Sequence, residues 1–337
     1  MQNKLKGVNL RTLFNKYGIV FMLLVLVAVM TIMIPGFLSW SNITGIFTMG
    51  SIYGIMALGV CFVIISGGTD LSAGSMVALI AVVSSACGQQ AGAMNKIFPF
   101  MPELGIWAPL LVAIVFGALC GAVNGVLVAK LKLFPFIATL GTYTIARGFA
   151  LVITKGKPVT QLISPFSVVG GNLFGFFPTP ILIFIICIIL SSILLNRTKF
   201  GCNTFAVGGN PSAARITGIN IDKTLIMIYA FAGIMYGVAA FVYAGRVLSV
   251  NPGAAKNYEL TAISSAVIGG CNPAGGSGTI WGVVVGTLIV STIRYSLTLL
   301  GVDAYWQQIA EGAIIVIAVI IVIIVVIVVA IRLAVVV

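Results

Sequence analysis

Long apolar runs separated by short polar or glycine-rich stretches make up most of this chain of 337 residues. The first run, GIVFMLLVLVAVMTIMI, follows four basic residues and ends at a Pro-Gly pair. One bilayer crossing needs about 20 mostly apolar residues in a helix, so such runs predict membrane-spanning helices. The pattern predicts about ten of them, at about 18–34, 43–66, 75–88, 109–129, 136–154, 180–195, 224–244, 260–270, 279–299 and 307–331.

The composition supports the same class. Hydrophobic residues make up 60% of the chain and charged residues 7%, whereas a soluble domain carries about 25% charged residues. We therefore predict an all-α integral membrane protein with a single transmembrane domain over residues 1–337.

The basic residues indicate an orientation. The net charge is +12, but Lys and Arg cluster at the ends of apolar runs, so nucleic acid is not an expected partner. Alternation of the ten helices places Lys and Arg about twice as often on the side of residues 1–17 as on the opposite side. The positive-inside bias therefore predicts a cytoplasmic amino terminus at 1–17 and a cytoplasmic loop at 196–223.

Two glycine-rich breaks, GGTDLSAGS at 67–75 and GGCNPAGGSG at 269–278, follow the second and eighth predicted helices. Irregular backbone at membrane depth must be buried in protein or line a water-filled path, and paired interruptions indicate a transport site. The candidate residues for a translocation path or gate are Gly68, Thr69, Asp70, Ser72, Gly74, Asn272, Gly275 and Gly276. The simpler interpretation is that Asp70 or Ser72 caps the third helix, and the two roles are compatible.

The stretch VGGNPSAARITGINIDK at 207–223 is polar between two apolar runs. Asn210 or Ser212 could cap a short helix there, and Gly218 could end it. The small residues Ala213, Ala214 and Gly218 would let the backbone of another protein approach closely. An ordinary capped turn in a cytoplasmic loop explains the same residues.

The residue types that usually carry catalysis or bind metals are sparse. Histidine is absent, and six cysteines show no C-x-x-C pairing, so we interpret them as small buried residues. The chain carries neither a P-loop nor an H-E-x-x-H motif. We therefore expect a protein that is not an enzyme and binds no metal or cofactor of its own.

Several motifs in order give the chain a resemblance to a known family. SAARITG resembles the E-A-A-x-x-x-G coupling segment of ATP-binding-cassette importer permeases, which docks into a groove on the ATPase subunit. The surrounding stretches are similar to the permeases for ribose, xylose and galactose, and most similar to the galactose/methyl-galactoside type, over about residues 18–319. The motifs that carry this resemblance are SGGTDLSAGSMVAL, NRTKFGCNTFAVGGNPSAARITGINI, KNYELTAISSAVIGG, GGSGTIWGVVVGTLIV and GVDAYWQQIAEGAIIVIAV.

The resemblance implies a permease subunit in a bacterial cytoplasmic membrane that imports a monosaccharide. ATP and Mg²⁺ would bind to a separate ATPase subunit, and an extracytoplasmic sugar-binding protein and a second permease chain would be further partners. The residues that the resemblance assigns to ATPase coupling are Gly209, Asn210, Pro211, Ser212, Ala213, Ala214, Arg215 and Gly218.

Alternatives remain open for both the substrate and the class of transporter. The importer could carry ribose, another sugar or a branched-chain amino acid. An ion-coupled secondary transporter is a different class, but such proteins generally place Asp, Glu or His near the bilayer midplane.

The chain departs from the family at two places. At Ser212 an acid is usual in the family, and the carboxyl end is rich in Ile and Val.

Overall fold

A computed structural model describes residues 10–173, 175–303, 305–310, 312–313 and 316, with side chains from residue 18 onward. Twelve named helices and one two-stranded hairpin occupy this part of the chain. They are α1 (Leu10–Met33), α2 (Trp40–Ile65), α3 (Ala73–Cys87), α4 (Trp107–Ala129), α5 (Pro135–Thr154), α6 (Pro165–Gly170), β1 (Asn172–Leu173), β2 (Phe177–Pro178), α7 (Thr179–Arg197), α8 (Lys199–Gly209), α9 (Pro211–Ile216), α10 (Ile221–Val247), α11 (Tyr258–Ile268) and α12 (Ile280–Leu299).

The predicted all-α membrane architecture is confirmed. Within the described residues, six helices are long and apolar enough to cross a membrane, namely α2, α4, α5, α7, α10 and α12, and α1, α3 and α11 contain shorter apolar segments. These nine correspond to the first nine predicted helices. Residues 305–310 are helical, and most of the predicted tenth helix lies outside the described residues.

Helix α2 lies at the centre of the bundle. It packs against α7, α10, α11 and α12. Nearly all of its apolar length is buried, whereas only about a third or less of the apolar length of α4, α5 and α7 is buried. A helix that is apolar all round suits this central position. The exposed apolar faces of the outer helices suit contact with lipid.

Helices α4 and α10 approach each other most closely through small residues. Ala113, Gly117, Gly121 and Gly125 recur every four residues along one face of α4. A Cβ atom at Gly117 or Gly121 would collide with a backbone carbonyl of α10, and a Cβ at Gly233 would collide with the carbonyl of Gly117. Small residues at this spacing let membrane helices pack backbone against backbone.

Three short elements were not predicted from the apolar pattern: the hairpin β1–β2, helix α6 and helix α8. The predicted loop 196–223 contains two helices in succession, α8 and α9, rather than a single turn. Thr198 caps α8, since its Oγ1 accepts a hydrogen bond from the N–H of Gly201 across 3.4 Å. Helix α8 is too short and too polar to produce a membrane-helix signal.

The loops group at two ends of the bundle. Gln89, after α3, pairs with Leu162, after α5, and Val159 pairs with Val250, after α10, all at one end. Gly67, the second break and the start of α9 lie at the opposite end, whereas Gly74 in the first break lies against Glu259 at the start of α11, so the first break reaches into the bundle. This grouping agrees with the alternation of the predicted helices.

Candidate coupling and transport site

Helix α9 is a separate, capped helix. Asn210 is its N-cap, and its Oδ1 accepts a hydrogen bond from the N–H of Ala213 across 2.9 Å. Pro211 occupies the first turn, where its missing N–H costs nothing. Of the two predicted capping residues, Asn210 therefore performs this role, while Ser212 is exposed.

Gly218 ends α9, as the sequence predicted. It has a φ of +85°, a backbone conformation that favours glycine. Its N–H donates to the carbonyl of Arg215, and the N–H of Ile219 donates to the carbonyl of Ala214, both across 3.1 Å. This double closure is the Schellman motif, and it stops the helix at a defined point.

The exposed face of α9 carries small residues and one large apolar side chain. Ala214 is 3% exposed and packs inward, whereas Ser212, Ala213 and Arg215 are exposed. Ile216 is 87% exposed. The exposed face of α9 therefore lets another backbone approach closely and has an apolar residue at its end. This combination suits contact with a protein partner.

The surroundings of α9 are basic. Arg197, Lys199, Arg215 and Lys223 are all exposed within residues 196–223, and Asp222 is the single acid in that stretch. The Asp222 carboxylate already accepts from Nζ of Lys132 across 2.6 Å. The net positive charge around α9 favours an acidic partner surface.

The end of α8 joins the two breaks at a point that we call the glycine junction, formed by Gly67, Gly208, Gly209, Gly275 and Gly276. A Cβ at Gly208 would collide with the carbonyl oxygen of Ile65. A Cβ at Gly275 would lie 3.0 Å from Cα of Gly67, and a Cβ at Gly276 would lie 3.0 Å from Cα of Gly209. Three backbone segments therefore meet at this point, and a Cβ atom would be crowded at Gly208, Gly275 and Gly276.

Asn272 shapes the second break. Its Oδ1 accepts from the N–H of Ala274 and its Nδ2 donates to the carbonyl of Gly275, both across 3.1 Å. Gly275 and Gly276 have φ values of +89° and +77°. The side chain of Asn272 thus holds a tight turn that delivers these two glycines to the junction.

Asp70 lies in a buried hydrogen-bond network. It is 1% exposed. Its Oδ1 accepts from the N–H and the hydroxyl of Ser72 across 2.9 and 2.6 Å, and its Oδ2 accepts from the hydroxyl of Tyr236 across 3.0 Å. Ser72 is the N-cap residue of α3 by position and makes no capping bond with its side chain. The simple capping interpretation is therefore wrong for Ser72, and Asp70 holds the N-cap residue itself.

Other helices reach into the first break. Nδ2 of Asn124 on α4 donates to the Ser72 hydroxyl across 2.8 Å. The N–H of Leu71 donates to Oγ1 of Thr139 on α5 across 3.2 Å, and that hydroxyl lies 3.4 Å from the carbonyl oxygen of half-buried Thr69. The break is therefore connected to α4, α5 and α10 at once.

Gly68 and Gly74 give the first break its close contacts. A Cβ at Gly68 would lie 2.8 Å from the Tyr229 hydroxyl, and a Cβ at Gly74 would collide with the Glu259 carboxylate. Gly74 thus brings the start of α3 against the start of α11. Both glycines are buried. A direct role for them in a translocation path stays a prediction.

The predicted site residues fall into two connected groups. The structure brings all the predicted coupling residues together around α9 and all the predicted path residues around the two breaks, joined at the glycine junction. Sequence reasoning missed Gly208, Tyr236 and Thr139. A Gly-Gly pair immediately before the cap Asn210 was the available signal for Gly208, but nothing local indicates that a tyrosine 166 residues away binds Asp70.

Metal-ligating side chains do not converge in the described part of the chain: no three of His, Cys, Asp or Glu come together there.

Comparison with known proteins identifies the family. The family described as the permease component of branched-chain amino acid transport systems matches residues 42–335. The galactose/methyl galactoside import permease protein of Escherichia coli strain K12 is 40% identical over 314 residues, covering 91% of this chain and 94% of that protein. The ribose import permease protein of Bacillus subtilis strain 168 is 35% identical over 324 residues, covering 94% of this chain and 96% of that protein.

No solved structure matches the chain. A family match over most of the sequence, together with relatives at this identity and coverage, means that this membrane protein belongs to the permease-component family of branched-chain amino acid transport systems.

Proposed function

We propose that this chain is the permease subunit of an ATP-binding-cassette importer that moves a monosaccharide, with galactose or a methyl galactoside as the favoured substrate. The curated relatives cited above are import permeases for galactose/methyl galactoside and for ribose, although the family description refers to branched-chain amino acids. The higher identity to the galactose protein favours that sugar.

The observation that carries the proposal is the placement of α9. This short capped helix is exposed on one side and connected through α8 to both glycine-rich breaks on the other. A separate ATPase subunit that binds ATP and Mg²⁺ would dock on the exposed face. An acidic partner surface would suit the basic residues around α9.

The glycine junction suggests how movement would be transmitted. Gly209 is the last residue of α8, and Asn210 begins α9. A displacement of α9 therefore reaches Gly276 and, through the Ile65 carbonyl, the end of α2. Because the three segments touch backbone to backbone, no flexible side chain absorbs the displacement.

Asp70 would then keep the first break in shape during this movement. Its carboxylate connects the start of α3 to α10 through Tyr236. We infer a positioning role for Asp70, with any direct contact to the sugar belonging to another state of the transport cycle.

The remaining assignments belong to the same proposal. The chain would lie in a bacterial cytoplasmic membrane with its amino terminus and α9 in the cytoplasm. A second permease chain and an extracytoplasmic sugar-binding protein would complete the importer. Neither ATP nor Mg²⁺ would bind to this chain.

The test is uptake of labelled galactose by cells that express this chain with its neighbouring ATPase and binding protein. The host strain would lack its own galactose and ribose uptake systems. We expect galactose uptake that unlabelled galactose suppresses more strongly than ribose does. In sealed right-side-out vesicles loaded with ATP, vanadate loaded together with the ATP should abolish uptake, while a protonophore should not.

Two outcomes would contradict the proposal in different ways. If unlabelled ribose or leucine suppresses uptake more strongly than galactose does, the substrate assignment is wrong but the importer class stands. Uptake lost to the protonophore and insensitive to vanadate would indicate an ion-coupled transporter. A strain with the binding protein and ATPase but an empty permease vector is the matched control.

A further inference from the structure

Two buried thiols lie in contact beside the glycine junction. Sγ of Cys61, on α2, is 3.2 Å from Sγ of Cys271, in the second break. Cys61 is 0% exposed and Cys271 is 1% exposed. They are 210 residues apart in the chain, so the tertiary fold alone brings them together.

The thiol pair lies next to the hydrogen bond that joins the same two segments. Ile65, four residues after Cys61 and on the same face of α2, accepts a hydrogen bond from the N–H of Gly276 across 2.8 Å. The second break therefore touches α2 at two neighbouring points. One contact is a backbone hydrogen bond and the other is a contact between two thiols.

The surroundings hold Cys271 in place. Its N–H donates to the carbonyl of Ala266 across 3.0 Å, which extends the end of α11. A Cβ at Gly278 would lie 2.9 Å from Sγ of Cys271. The sulfur is therefore packed against Cys61 rather than free to turn away.

We propose that Cys61 and Cys271 are an oxidation site, at which a membrane-permeable azo oxidant such as diamide forms an intrachain disulfide that stops transport. One sulfur adds to a nitrogen of the N=N bond, and its proton passes to the other nitrogen. The second sulfur then attacks the first and forms the S–S bond. The S–N bond breaks, and the reduced hydrazine leaves with the second proton.

The effect on transport rests on the proposed function. The disulfide would tie α2 covalently to the second break, beside the point where α8 delivers the displacement of α9. A joint that moves during the cycle would then be locked. Because neither sulfur reaches solvent in the described state, oxidation requires an opening of this region, so turnover should accelerate it.

The test uses the full chain assembled with its ATPase and binding protein, carrying Cys202→Ala because Cys202 is exposed and could form disulfides between molecules. Diamide is applied with and without galactose and ATP. Peptide mapping then identifies the disulfide, and labelled galactose uptake is measured before and after dithiothreitol. We expect a Cys61–Cys271 disulfide, loss of uptake and recovery of uptake on reduction.

Single variants Cys61→Ala and Cys271→Ala are the matched controls, and size-exclusion chromatography checks their assembly. Each should transport galactose and resist diamide. Two separate variants keep the test valid if one fails to assemble. Sensitivity to diamide in both variants would overturn the proposal, because the target would then be another group.

The two proposals can fail separately. A complex that takes up galactose and yet gives no mapped Cys61–Cys271 disulfide after diamide treatment contradicts the oxidation site. A mapped disulfide with unchanged uptake contradicts the proposal that this disulfide stops transport. Absence of galactose uptake by the reduced complex contradicts the proposed function instead.

Discussion

Gly276 donates its backbone N–H to the carbonyl oxygen of Ile65 across 2.8 Å. Ile65 is the last residue of α2, and the final carbonyls of a helix have no partner within it. Gly276 supplies that partner from a break more than 200 residues later in the chain. The hydrogen bond therefore completes the central helix and anchors the second break with one contact.

Substitution of Gly208 should destabilise the assembled protein. A Cβ there would collide with the carbonyl of Ile65, so Gly208→Ala must push α8 away from α2, at a cost of about 1–3 kcal/mol. The measurement is the melting temperature in detergent. Gly209→Ala is the matched control, because a Cβ at Gly209 meets nothing within 4 Å. Equal melting temperatures for the two variants would contradict the close packing at the junction.

The α4–α10 interface should be equally sensitive. A Cβ at Gly121 would collide with the backbone carbonyl of Tyr229, and a backbone atom cannot rotate aside as a side chain can. We expect Gly121→Ala to lower the melting temperature and the yield of folded protein.

The control for this interface is Gly141→Ala on α5, where a Cβ meets nothing within 4 Å. Both positions lie inside apolar helices, so helix propensity favours alanine in each case. A fall in melting temperature at Gly141 as large as that at Gly121 would mean that packing is not the cause.

Loss of the Asp70 carboxylate should slow transport while leaving membrane assembly intact. Asp70→Ala removes the acceptor for three hydrogen bonds and leaves the Tyr236 hydroxyl without its carboxylate partner. Tyr236→Phe removes one of these bonds and should cost about 1–3 kcal/mol of stability. Galactose uptake at matched expression, with melting temperature, is the measurement.

The variant Asp70→Asn removes the ability of residue 70 to carry a negative charge while keeping its ability to form hydrogen bonds. An amide oxygen can still accept from Ser72, and the amide nitrogen can donate to the Tyr236 oxygen. We expect this variant to retain most of the stability that Asp70→Ala loses. Normal uptake by a normally expressed Asp70→Ala variant would exclude a role for Asp70 in the gate.

A large side chain at Gly218 should uncouple the permease from its ATPase. Gly218 has a φ of +85°, where a residue other than glycine costs about 1–3 kcal/mol, and it lies at the exposed end of α9. Gly218→Leu adds both bulk and strain beside the proposed docking face. We expect the variant to reach the membrane, fail to co-purify with the ATPase and lose uptake.

Gly218→Asn is the control for strain alone, because asparagine tolerates the left-handed conformation. It should retain more ATPase association than Gly218→Leu does. Full ATPase association and full uptake in Gly218→Leu would remove the assignment of α9 as the coupling helix.

The sequence by itself determined the class and the approximate positions of the helices. Apolar runs long enough for a bilayer need no tertiary information, because a helix in lipid satisfies its own backbone. Predicted ranges such as 43–66 and 279–299 therefore lie close to Trp40–Ile65 and Ile280–Leu299. Local chemistry also predicted the stop at Gly218 and a cap at Asn210 or Ser212, since each acts within a few residues.

Only the tertiary structure decided how these pieces meet. Asp70 binds Tyr236, Cys61 touches Cys271, and Gly276 binds Ile65, and no local pattern pairs residues 166 to 211 positions apart. Glycine in a break can serve either a turn or a close approach of two backbones, and the sequence alone does not distinguish these two roles. Backbone packing at one point in space made Gly67, Gly208 and Gly276 a single junction.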